Sequence, residues 1–253
     1  MPWSGRAIAP DGNDYPPRRS SDISVCGRFA IGEIRDLVPR FSIDSPIADM
    51  PRPRYNIAPT QDAPIVIDHR HRQLLMMRFG LIPFWSKDAR IGVRLINARV
   101  ETAKEKPVFR SCLEDRRCLV PTTGFYEWGP SARGREPYFV RLKSEKLFAM
   151  AGLYDHWMDP RGDLVHSFTI LTTSANDLMA PIHDRMPVIL NIEDEKEWAA
   201  PVPLGDGELE RIGKPFPSER MELYRVSREV NDLSKDSDEL IRPAGEVRQR
   251  TLF

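Results

Sequence analysis

Apolar positions along this chain recur mostly with a period of two, or as short unbroken runs, and only briefly with the spacing of a helix. The pattern predicts strands at 26–30, 63–68, 74–85, 93–98, 118–120, 138–143, 148–154, 166–172 and 187–190. Helical spacing is confined to short stretches. Ile34, Leu37 and Val38 open one, which Pro39 and the proline-rich run to Pro53 end. Others are expected at 99–106, between an N-cap at Ser174 and Pro181, and at 193–200. The 54–60 stretch reads as a loop, 69–73 as a polar hairpin turn, and 121–128 as a reversal through Gly124. Strands 138–143 and 148–154 are expected to pair as a hairpin. With strands dominant and no regular βαβ alternation, the expected fold is α+β, one domain built on antiparallel sheet with short peripheral helices.

That domain is expected to span 26–243. Residues 1–25 are rich in Pro, Gly, Ser, Asp and Arg and lack periodicity, so they are expected to be disordered or absent from the native protein. The polar 244–253 stretch is expected to be a loose tail.

Composition adds exclusions. At 41% hydrophobic and 29% charged residues, with no apolar run long enough to span a bilayer, the chain reads as a soluble, cytoplasmic protein with no membrane partner. Three cysteines without a CxxC pair argue against a disulfide framework, and the five histidines lack metal-ligand spacing. No metal and no cofactor are therefore expected. The net charge of zero conceals an asymmetry. Residues 26–142 carry 20 Lys and Arg against 13 Asp and Glu, a net of +7, and residues 143–253 carry 14 against 21, a net of −7. Either surface charge varies without meaning, or the basic half holds a polyanion.

Five segments carry candidate chemistry. In Cys26-Gly27-Arg28, Gly27 permits close backbone approach. An extended chain would put Arg28 on the same face as Cys26, where its charge would favour thiolate. Cys112 and Cys118 lie among apolar neighbours and read as core. Asn97 and Arg99 either hold a phosphate or sugar, or form a helix cap and a surface ion pair. Glu127 sits among Phe125, Tyr126 and Trp128. Desolvation there would raise its pKa and suit it to proton transfer, unless its head reaches water. His183 and Arg185 lie in a turn, either as an acid/base and a phosphate ligand or as a capping pair. Phe84, Trp85 and Trp128 either stack on unpaired bases or belong to the core.

These segments resemble a known family, the SRAP domain (SOS response-associated peptidase) of abasic-site processing proteins. The resemblance rests on CGRFA, RYNIAPTQ, MRFGLIPFWSKD, INARVETAKEKPVFR, RCLVPTTGFYEW, FAMAGLYDHW, FTILTTSAN, IHDRMPVIL and YRVSREVND, in family order from Cys26 to about Pro243. It implies a single sheet-and-barrel domain, expected as a monomer, with a basic groove for single-stranded DNA and a covalent reaction at abasic sites. It implies Cys26 as the crosslinking residue, Asn97, Glu127 and His183 as its catalytic company, and Arg28, Pro59, Trp85, Arg99, Trp128 and Arg185 as DNA contacts. The expected product is a thiazolidine, formed when an N-terminal cysteine gives both amine and thiol to the sugar aldehyde. The family name also implies peptidase activity, which self-removal of the initiator methionine would account for. A cysteine hydrolase acting on other peptides and a non-covalent DNA-binding module are the alternatives.

Two departures bear on this. The family cysteine follows the initiator Met, whereas Cys26 follows Val25. Val25 is expected to be a misread GTG start, or residues 1–25 are removed by proteolysis. Phe79 and Phe84 replace the tryptophan and small polar residue that the resemblance leads one to expect, and are expected to alter the groove floor.

Overall fold

The structure, a computed structural model, describes residues 26–44, 50–68, 71–132 and 134–245. The expectations placed on residues 1–25 and 246–253, and on the tip of the turn at 69–70, lie outside it. The strands are β1 Phe29–Ile31, β2 Arg54–Ile57, β3 Asp62–Asp68, β4 Arg72–Phe79, β5 Asn97–Arg99, β6 Arg117–Thr122, β7 Gly124–Ser131, β8 Gly134–Leu142, β9 Phe148–Met158, β10 Leu164–Ser174, β11 Arg185–Pro187 and β12 Met221–Arg225. The helices are short: α1 Leu37–Phe41, α2 Pro107–Asp115, α3 Ile192–Ala199 and α4 Asp206–Ile212.

The strands form a 5-stranded sheet, β12-β8-β7-β1-β2, and a 7-stranded one, β11-β10-β4-β3-β6-β9 with β5 on β10. The second sheet closes, because β9 also pairs with β10. The ring β10-β4-β3-β6-β9 is thus a barrel, antiparallel except where β4 and β10 run parallel. Closure removes the exposed edges of those strands. With α2 and α3 packed outside, it leaves β6 and most of β9 buried on both faces, so that they read as continuous apolar runs. Phe79 stacks on Phe168 at 5.1 Å and meets the edge of Phe29 at 5.7 Å, so one aromatic cluster joins the barrel to β1 of the other sheet.

Several expected elements differ. Cys26 is not in a strand; it lies in a turn at φ 47°, and β1 begins at Phe29. The 54–57 stretch is a strand, not a loop. The 121–128 stretch is the end of β6 and most of β7, not a turn. Of the strand expected at 93–98 only its end forms, as Asn97–Arg99 after a 3₁₀ stretch at Ala89–Arg94, and the helix expected from Arg99 is a single 3₁₀ turn, Val100–Thr102. Strands β8 and β9 do not pair with each other: β8 lies between β7 and β12, and β9 is in the barrel. Ser174 ends β10, and the helix expected after it is a run of turns over 177–182, in which Asn176 caps the Met179 N–H at 3.0 Å. Phe79 is fully buried, so it cannot form a groove floor.

Candidate functional site

Cys26 enters the described chain immediately before β1, and β1 pairs with β7 in the register Phe29↔Phe125. That register brings Glu127 back to Cys26. The Cys26 backbone nitrogen donates to Glu127 Oε1 at 2.5 Å. Both residues are buried, with Glu127 1% exposed. Burial pushes the Glu127 carboxyl up to about 7, against the hydrogen bonds from the Cys26 and Trp128 backbone, and the nearby Asp184 adds to the rise. The Cys26 thiol lies 3.9 Å from Met150 Sδ, and burial and then Glu127 raise its pKa well above the usual thiol value. The expected activation by Arg28 is therefore absent. Arg28 donates from Nη1 to Asn56 Oδ1 at 2.6 Å and to the Val230 carbonyl at 2.8 Å, and it lies 5.8 Å from the Trp128 ring centre. The same-face rule needs an extended chain, and Cys26 is not extended.

Asn56 was not foreseen, although an amide between Tyr55 and Ile57 in a buried segment is a signal of a polar job. It is 1% exposed and donates to the carbonyls of Val230, Asp232 and Lys235 at 3.2, 3.1 and 2.8 Å. Trp128 donates from its ring to Asn231 Oδ1 at 2.8 Å. The 228–235 segment is thus strapped across β1, β2 and β7, and it fixes Arg28 and Trp128 from behind.

Asn97, Arg99 and Arg185 are brought together by β10. Thr172 pairs with Arg99 on one edge and with Pro187 on the other, and Ser174 pairs with Arg185. The Asn97 amide reaches the Ile170 carbonyl at 3.5 Å, a long contact. Arg99 is exposed. Arg185 is held by a bidentate pair with Glu101 at 2.7 and 2.8 Å and by the Thr172 carbonyl at 2.7 Å. His183 Nδ1 lies 3.0 Å from the Arg185 backbone nitrogen and 2.9 Å from Asp184 Oδ1. The turn before it packs on β7: a Cβ at Gly129, two residues beyond Glu127, would lie 3.2 Å from Ile182.

Pro59 sits half-buried in a turn whose neighbours Thr60 and Gln61 bond Phe79 through N and O at 2.8 Å each. From the next residue, Gly80, the chain leaves the barrel and carries Phe84 and Trp85 at 59% and 55% exposed. Both aromatics are therefore outside the core. Among the described residues no cluster of His, Cys, Asp and Glu could hold a metal ion.

The fold is thus a barrel joined to an antiparallel sheet, and at its candidate site a buried cysteine nitrogen meets a buried carboxyl. The chain belongs to the SOS response associated peptidase (SRAP) family, whose model matches residues 25–233. It is 43% identical over 221 residues to the Bacillus subtilis abasic site processing protein YoqW, which covers 86% of this chain and 99% of that protein. It is 29% identical over 225 residues to the Gallus gallus abasic site processing protein HMCES, covering 76% and 66%. A crystal structure of a Bacteroides thetaiotaomicron protein matches with a TM-score of 0.79 at 30% identity, over 87% of this chain and 100% of that one.

Proposed function

We propose that this protein processes abasic sites, and that in single-stranded DNA it joins them covalently through an N-terminal Cys26. The observation that carries the reading is the Glu127 carboxyl on the Cys26 nitrogen in a buried pocket. The names of the relatives supply the substrate.

In the proposed reaction a free Cys26 amine attacks the aldehyde carbon of the opened sugar. A proton passes from nitrogen to oxygen, Glu127 gives that oxygen a second proton, and it leaves as water, forming an iminium. The Cys26 sulfur then adds to that carbon, its proton leaves to Glu127, and a five-membered thiazolidine closes. A carboxyl titrating at about 7 can both give and take a proton at neutral pH. Holding amine, thiol and carboxyl in one pocket supplies the proximity. Asn97 and His183 complete the proposed catalytic set, and Arg28, Pro59, Trp85, Arg99, Trp128 and Arg185 the proposed DNA surface.

The amine exists only once the Val25–Cys26 bond is absent. Self-cleavage is the economical route. Water adds to the Val25 carbonyl carbon, the C–N bond breaks, and the departing nitrogen takes its proton from Glu127. Chemistry on other peptides is less favoured, because the thiol is buried, raised in pKa and placed against Met150.

Protein beginning at Cys26 is expected to form a gel-stable adduct with single-stranded DNA bearing one abasic site, and Cys26→Ala is expected to form none. An adduct that survives Cys26→Ala overturns the covalent step. Salt-sensitive binding without any adduct leaves a non-covalent binding module, and cleavage of an unrelated peptide without adduct leaves a hydrolase.

A further inference from the structure

Two adjacent large aromatics held in water at the centre of a tight turn need a reason. Ser86 N–H closes on the Pro83 carbonyl at 2.9 Å, so Phe84 and Trp85 occupy the two central positions of that turn. Beneath them the backbone is fastened by side chains of the β9–β10 hairpin. Ser167 Oγ accepts the Ile82 N–H at 2.8 Å, Asp155 Oδ2 accepts the Phe84 N–H at 3.0 Å, and Trp157 Nε1 donates to the Ser86 carbonyl at 2.6 Å. These three side chains are 0%, 2% and 7% exposed. The register explains the fit. Asp155 is the cross-strand partner of Ser167, and Trp157 is two residues on, so all three lie on one face of the hairpin. They catch residues 82, 84 and 86, which are likewise two apart.

The base of the excursion is closed as well. A Cβ on Gly80 would lie 2.5 Å from the Gly92 carbonyl oxygen, and one on Gly92 would lie 2.6 Å from that of Gly80. Gly80 also sits at φ 114°, which favours glycine. Asp155 itself is held by the His156 N–H at 2.9 Å and faces Arg116 Nε at 3.5 Å, so its buried charge is met.

We infer that Asp155, Trp157 and Ser167 are positioning residues that hold the Phe84–Trp85 turn as a preformed platform for unpaired bases. This deepens the proposed function and rests on it. None of the three touches DNA. Each removes, before binding, the freedom that a loose turn would lose on stacking. Lys87, Arg90 and Arg94 are exposed on the same excursion, with Arg90 paired to Asp88 at 2.7 Å, and leave it net positive.

The test uses the full chain and a short single-stranded oligonucleotide without a lesion, so that no covalent step enters. Trp157→Phe, which removes the ring donor and keeps an aromatic, is expected to weaken binding roughly three- to tenfold. Asp155→Asn and Ser167→Ala are expected to act in the same direction and serve if Trp157→Phe does not fold. The salt slope should stay at the wild-type value, because no phosphate contact is lost. In a background lacking both aromatics, Phe84→Ala with Trp85→Ala, each of these substitutions should cost nothing further. Losses that add to that of the double variant, or a flattened salt slope, make these residues merely structural and overturn the inference. Tight wild-type binding that Trp157→Phe leaves unchanged overturns it alone. Wild-type protein that does not bind the oligonucleotide overturns the DNA reading, and this inference with it.

Discussion

At Glu127, burial and hydrogen bonding pull in opposite directions, and burial prevails, taking the carboxyl from 4.5 to about 7. The shift has a sign in stability. The folded protein holds this proton more tightly than the unfolded chain does, so the contribution is complete below about 4.5 and is lost as pH rises to about 7. Its size is on the order of 3 kcal/mol. Urea melts of wild type across that window should fall relative to those of Glu127→Gln, which keeps an acceptor for the Cys26 nitrogen but cannot titrate. Parallel curves would mean that the carboxyl titrates normally. The three aromatics around Glu127 made its burial readable in the sequence. The state of Cys26 was not readable, because residues two apart share a face only in extended chain and no local residue announces a turn at φ 47°. Asp155 was silent, and Asn56 announced a polar role without its partners, since the partners of both lie in segments distant along the chain.

Among the elements, α2, α3 and β6 meet at a single cation. Arg117 is 2% exposed and donates to five carbonyls: Glu114 at 3.1 Å, Trp198 and Val202 at 2.6 Å, and Leu113 and Ala200. Four of these belong to the C-terminal ends of α2 and α3, whose last carbonyls have no partner within the helix. Arg117→Met should cost at least about 3 kcal/mol, read by urea unfolding, because several buried acceptors lose their donor together. A change under about 0.5 kcal/mol would mean that water replaces the guanidinium. Strand periods were readable where one face is buried, as in β8. The pairing of β8 with β9 was not, because adjacency along the chain says nothing of which sheet a strand enters, and barrel closure claims β9. The helix α2 was hidden by Pro107, which serves as a first-turn residue, with Phe109, Cys112 and Leu113 on the buried face.

Across the whole molecule the charge asymmetry of the two sequence halves does not map onto two halves in space. The barrel takes β3, β4 and β6 from the basic half and β9 and β10 from the acidic half. Any pull on a polyanion must therefore be local, and β10 is where the halves meet: Arg99 lies on one edge and Arg185 near the other, with Glu101 against Arg185. The two arginines should behave differently. Arg99 is exposed, so Arg99→Ala should leave stability within about 0.5 kcal/mol and flatten the salt dependence of single-strand binding by about 0.7, one phosphate. Arg185 is committed to Glu101 and to the Thr172 carbonyl. Arg185→Ala should lower stability by about 1–3 kcal/mol, because the buried carbonyl loses its donor. It should also weaken DNA binding more than Arg99→Ala does, since the carboxylate of Glu101 is left without its counter-charge beside the strand. Removing both charges in Glu101→Gln with Arg185→Ala should recover part of that binding but not the stability. Salt titrations and urea melts on the four proteins decide it. Equal binding by the single and double variants would mean that Glu101 does not face the DNA.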